Sequence, residues 1–178
     1  MKRLILFFIT IIMLIMICNN YKENYYIIPN ESIRIRIIPN SNNVKDQELK
    51  RKVKTNLEIE LQSDLKDSKT IETSRKIIQS NINKYDKTIK NVLKNEHSEQ
   101  KYSINYGYHY FPEKTYKGVK YKEGEYESLL ITLGKGEGNN WWCVLFPPIC
   151  DLEEETSNNT EKTEYKLYIK EIFNKYIR

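Results

Sequence analysis

Ser32-Ile33-Arg34-Ile35-Arg36-Ile37-Ile38 alternates apolar and cationic side chains over a β-branched run. Period-two alternation of this kind predicts a β-strand, with Ile33, Ile35 and Ile37 on one face and Arg34 and Arg36 on the other. Pro39-Asn40-Ser41-Asn42-Asn43 closes it, because proline removes a ladder donor and short polar side chains support turns. The isoleucine face then needs a partner from later in the chain.

Directly after the turn the period changes. Leu49, Val53, Leu57 and Leu61 recur every four residues and predict a helix from Val44 or Lys45 to Gln62, its lysine-rich side in solvent. A second helix is predicted from Thr70 to Leu93, with Ile71, Ile78, Ile82, Tyr85, Ile89 and Val92 near one face. Asp67 or Ser68 is the expected N-cap. After residue 100 the character shifts again, and all six glycines fall between Gly107 and Gly138. Strands are predicted at Lys101–Phe111, at Tyr116–Tyr121 and at Tyr126–Leu133, where hairpins are expected. The predicted fold is a single small α+β domain, an antiparallel sheet with packed helices, preceded by an N-terminal hydrophobic segment.

That segment runs from Leu4 to Cys18 behind Lys2 and Arg3, interrupted only by Thr10. A cationic head before about fifteen apolar residues has the form of a secretory signal or short membrane anchor. At 1.5 Å per residue it reaches roughly 22 Å, against a hydrocarbon core of about 30 Å. Length favours a cleaved signal, whereas the absence of small residues before Cys18 favours an anchor; either way the remainder is expected outside the cytosol. Residues 1–20 are thus read as signal peptide or anchor and 21–30 as a juxtamembrane linker. Residues 31–150 form the exported domain, 151–163 an acidic polar linker and 164–178 a terminal helix. A net charge of +5 over 178 residues is too slight to argue for nucleic acid.

Trp141-Trp-Cys-Val-Leu-Phe-Pro-Pro-Ile-Cys150 reads as a rigid apolar loop. An extended backbone sends adjacent indoles to opposite sides, so one of Trp141 and Trp142 is expected in the core and the other partly presented, with Phe146 beside it. In an oxidising compartment Cys143 and Cys150 can close a short covalent loop with a gain of about 2–3 kcal/mol; in a reducing one they are two buried thiols.

Catalytic chemistry is not nominated. His97 and His109 stand apart without metal-ligand spacing, and no metal or cofactor is expected. Ser41 and Ser128 lack a Gly-x-Ser-x-Gly turn and a base in sequence reach. Asp46, Glu125 and Glu127 follow no acid–base pairing rule. Gly134-Lys-Gly-Glu-Gly138 lacks the Walker spacing and its Lys-Ser/Thr ending, and reads as a flexible loop that lets the indoles fold back.

Five segments together resemble the stage II sporulation protein R family. They are Ile33–Ser41, Asp46–Lys50, Phe111–Tyr116, Gly124–Ser128 and, most specifically, Gly134–Cys150. The family's first motif reads closer to Ile-Arg-Phe-His-Val-Ile-Ala-Asn-Ser-Asp. Here Arg36 stands for its histidine, Pro39 for its alanine and Asn42 for its aspartate, which argues against a histidine-dependent reaction. The resemblance implies a non-enzymatic signal of endospore formation, secreted from the forespore into the intermembrane space or anchored facing it. There it would activate a membrane-bound aspartic protease that processes the mother-cell sigma-factor precursor. Arg34, Arg36, Asn40, Ser41, Trp142 and Phe146 are the expected exposed partner contacts, with Cys143 and Cys150 positioning the loop. A cell-wall hydrolase or wall-binding module, prompted by export and by aromatics near Glu125 and Glu127, is the competing reading.

Overall fold

In a computed structural model, residues 31–116 and 119–149 are described, with the backbone of Tyr26–Ile27 and helical residues at 11, 13, 171, 172 and 174–176. The chain order is β1 (Tyr26–Ile27), β2 (Ile33–Ile38), α1 (Val44–Leu65), α2 (Ile71–Ser80), α3 (Ile82–Asn95), β3 (Tyr102–Phe111), β4 (Lys114–Tyr116), β5 (Val119–Tyr121), β6 (Gly124–Leu133) and β7 (Trp141–Phe146). Four strands form the main sheet in the order β3-β6-β2-β7, and β1-β5-β4 form a smaller one.

The sheet is mixed rather than antiparallel as predicted. β2 runs parallel to β6, with Arg34 beside Ser128 and Ile37 beside Ile131, and antiparallel to β7. Parallel neighbours cannot be joined by a tight turn. The three helices and β3, β4 and β5 intervene between β2 and β6, and this long route places the helical layer against one face. There Ile33, Ile35, Ile37, Leu129, Ile131 and Leu133 meet Leu49, Val53, Leu57, Leu61, Ile78, Tyr85 and Ile89 in one core. Each such aliphatic side chain contributes about 1.5–3 kcal/mol on burial.

The first helix matches its four-residue stripe and extends one turn further, capped by Asn43. The second predicted helix is two. Asn81 leaves the helical region at φ −100°, ψ 5°, and Ser80 Oγ donates to the carbonyls of Lys76 (2.8 Å) and Ile77 (3.0 Å). Such back-bonding competes with the helical ladder and favours a bend. The N-cap is Thr70, not Asp67 or Ser68; Ser68 instead bonds Ser74 Oγ at 2.8 Å.

Two further expectations change in the C-terminal half. The strand predicted at 116–121 is the hairpin β4–β5. Trp141–Phe146 is no loop but an edge strand, because β2 offers it an antiparallel ladder, shifted in register only between Ile33 and Arg34. Its alternation puts Trp141 against the helix-side core and Trp142 on the opposite face, beside Phe111.

Among the described residues no helix is long and apolar enough to cross a membrane. The apolar stretch 4–18 lies outside them apart from Ile11 and Met13, as do the linker 151–163 and most of the terminal helix. Of the latter, Tyr176 meets Phe146 edge-on at 5.7 Å.

Candidate functional site

Two structures are built from the residues singled out in the sequence: a polar clamp at one end of β2 and an aromatic cavity on the sheet face away from the helices. The clamp forms because β2 ends at Pro39 and the chain must reverse into α1. Asp46, only 4% exposed, accepts on Oδ2 from Ser41 Oγ (2.6 Å), Asn40 Nδ2 (2.9 Å) and Asn43 Nδ2 (2.9 Å). Its Oδ1 accepts from Gln100 Nε2, and Asn43 Oδ1 caps α1 at Asp46 N. The Ser41 hydroxyl is the largest of the influences that hold the carboxyl below its ordinary range.

The same turn grips the Gly134–Asn140 segment. Asn40 Oδ1 accepts from Lys135 N at 2.9 Å, Asn42 Oδ1 from Asn139 N at 2.6 Å, and Pro39 O from Gly138 N at 3.1 Å. A Cβ on Gly138 would stand 2.3 Å from Ser41 O, so only glycine permits this approach. The segment expected to be a flexible loop is therefore pinned, and Asn40 and Ser41 are structural ties rather than exposed contacts.

The two arginines, equivalent in sequence, differ in structure. Arg36 donates to Tyr110 O at 3.3 Å. Asn140, turned so that its oxygen faces Arg36, accepts from Nη2 (2.7 Å) and Nε (3.0 Å). Arg34 was expected on an exposed face and is only 2% exposed. The hairpin β4–β5 and the aromatic residues of β3 and β6 cover it, which the local alternation cannot report. Its Cζ stacks 3.3 Å from the Tyr126 ring centroid, with Phe111 at 5.3 Å and Tyr121 at 5.9 Å. Burial lowers its pKa, partly offset by Tyr126. Among the described residues, Nε, Nη1 and Nη2 have no hydrogen-bond partner. A cavity of about 140 Å³ opens beside Arg34, lined also by Phe111, Lys114, Tyr121, Asn140 and Trp142. Phe146 is likewise no exposed contact: at 3% exposure it belongs to the core.

Sequence reasoning missed one pairing. His109 Nδ1 lies 2.8 Å from Ser128 Oγ, and Nε2 lies 3.1 Å from Asn105 Oδ1, because β3 and β6 pair in register across Gly107 and Ser128. The arrangement resembles a nucleophile with its base, but Ser128 is wholly buried. Its single proton also has a second acceptor, Tyr126 O at 3.2 Å. A substrate carbonyl cannot reach that oxygen in this fold. Burial lowers the His109 pKa, because it disfavours the charged ring. Glu127 is committed as well. Arg75 donates to it twice (2.6 and 2.8 Å) and Tyr106 once (2.8 Å). Burial pushes its carboxyl up, but these donors outweigh burial and hold it ionised. His97, at φ 51°, is a turn residue ending α3. No cluster that could hold a metal occurs among the described residues. Among the described residues the exposed aromatics are Tyr108 (70%) and Tyr110 (53%), which strand alternation alone does not distinguish from their neighbours.

Clamp and cavity belong to one α+β domain, the cavity walled by aromatic side chains. The family model for stage II sporulation protein R matches residues 29–156, and the chain belongs to that family. The chain is 39% identical over 140 residues to the stage II sporulation protein R of Bacillus subtilis (strain 168), an alignment covering 79% of this chain and 62% of that protein. The chain thus spans less than two thirds of that relative's length. No solved structure matches.

Proposed function

We propose that this chain is an exported signalling protein of endospore formation that activates a membrane-bound aspartic protease, which in turn processes the mother-cell sigma-factor precursor. The family match across residues 29–156 carries the reading. The cationic, apolar N-terminus of residues 1–20 supports export from the forespore, as a signal peptide or an anchor facing the intermembrane space. Activation requires the chain to bind the protease's active arrangement better than its inactive one.

Of the expected contact residues, Trp142 and Arg34 border one cavity and are proposed to meet the partner. Arg36, Asn40 and Ser41 hold the segment that carries Trp142, and Phe146 holds the strand. Pairing of Cys143 with Cys150 is part of the proposal. It is supported by the burial of Cys143 on β7, seven positions before Cys150.

The test is reconstitution of the matched protease, its precursor and this chain in membranes. Processing should rise when the chain is added and fall at least tenfold with Trp142→Ala while the variant stays folded. Unchanged processing on addition of the parent chain would remove the proposal.

A further inference from the structure

The unused donors of Arg34 indicate what the cavity receives. A guanidinium carries five N–H donors in its plane and stays charged when buried. Stacking on Tyr126 engages the face of that plane, leaving the in-plane nitrogens without partners among the described residues. Burying unmatched charged donors is strongly unfavourable, and an apolar side chain of similar volume is commonly as stable or more so. Arg34 therefore works against the stability of the domain unless something from outside uses its fork.

The surroundings define that ligand. Among the described residues no carboxylate lines the cavity, and the Lys114 ammonium stands 5.0 Å from the Trp142 ring at its wall. Arg36, by contrast, is already engaged by Tyr110 O and Asn140. The guanidinium fork matches a carboxylate bidentately. The volume of about 140 Å³ suits one side chain, being close to a cavity that holds benzene. Phe111, Tyr121 and Trp142 offer apolar walls to a stem and disfavour a strongly hydrated phosphate.

We propose that the Arg34 cavity is a receptor for one acidic side chain of the partner protein, its carboxylate gripped by the guanidinium and its stem packed between Phe111 and Trp142. The proposal names the chemistry of the contact in the activator reading above and rests on it for the partner.

The test uses the exported chain alone, with benzoate as carboxylate probe, benzamide as its neutral counterpart and inorganic phosphate as a third arm. Binding is followed by tryptophan fluorescence and by NMR shifts. Benzoate should saturate, and benzamide should bind at least tenfold more weakly, the loss expected when a charge-assisted pair is removed. Arg34→Met should abolish benzoate binding yet melt at the parent temperature or above. Arg34→Lys, which keeps charge without the fork, should bind about tenfold more weakly. Equal binding of benzoate and benzamide, or retained binding in Arg34→Met, would overturn the proposal. So would an Arg34→Met chain that melts well below the parent or fails to fold, since the arginine would then be a structural stacker. Phosphate binding as tight as benzoate would reassign the cavity to phosphoryl ligands. Because no protease is present, a negative result removes the pocket and leaves the activator reading standing. Carboxylate binding alongside failed reconstitution does the reverse.

Discussion

Replacing Asp46 with alanine removes the acceptor on which the clamp converges. Four side chains, from Asn40, Ser41, Asn43 and Gln100, donate to this one carboxylate at the entry of α1. Each hydrogen bond to a charged group contributes about 1.5–3 kcal/mol, and a negative charge near a helix N-terminus about 0.3–1 kcal/mol more. The contributions do not add, since water can reach the partly buried donors once the carboxylate is gone. A net loss of about 3–4 kcal/mol is expected, at the upper end for single substitutions. Equilibrium urea unfolding of parent and variant measures it. The sign with pH follows from the lowered carboxyl: its folded value lies below the unfolded one, near 3.9. The stability it supplies is fully present above the unfolded value and disappears as pH falls through the folded one. The parent should therefore lose stability below about pH 4 more steeply than Asp46→Ala. A loss under about 1 kcal/mol at neutral pH, or parallel acid limbs, would show that the clamp is not what joins β2, α1 and the Gly134–Asn140 segment.

Gly138→Ala would force a Cβ to 2.3 Å from Ser41 O and should lower the melting temperature by roughly 5 °C, read by thermal circular dichroism. Glu127→Gln leaves the partly exposed Arg75 short of its charged partner. It should cost about 1–2 kcal/mol in denaturant unfolding while removing that carboxyl's share of acid destabilisation. His109 has a lowered folded pKa, so the parent should lose stability as pH falls below about 6.5, and His109→Gln should flatten that limb in melts between pH 5 and 8. Tyr102, held by burial and by Asp86, should ionise with its pKa pushed up to about 12 in an ultraviolet titration, and Tyr102→Phe should remove that step.

Local periodicity was sufficient for α1, β3 and β6, because side-chain direction in a helix or strand is set by backbone geometry alone. The opposite destinations of Trp141 and Trp142 are legible for the same reason, even though Trp141–Phe146 reads locally as a loop. Its strand exists because β2 supplies the hydrogen-bonding edge, a condition written far from the segment itself. Orientation of β2 against β6 was equally out of reach. An alternating run is compatible with either direction, and burial of the helical layer selects the parallel one.

From its residues the chain reveals that Arg34 and Arg36 share a face of β2, that Ile33, Ile35 and Ile37 share the other, and that Pro39–Asn43 turns the chain. Whether that arginine face meets water or protein is decided by Phe111, Tyr121 and Tyr126, which arrive from β3, β5 and β6. Tertiary packing alone made Arg34 a buried, unspent cation while giving Arg36 its partners. Alternation encodes direction, whereas solvation depends on what distant segments bring to cover it.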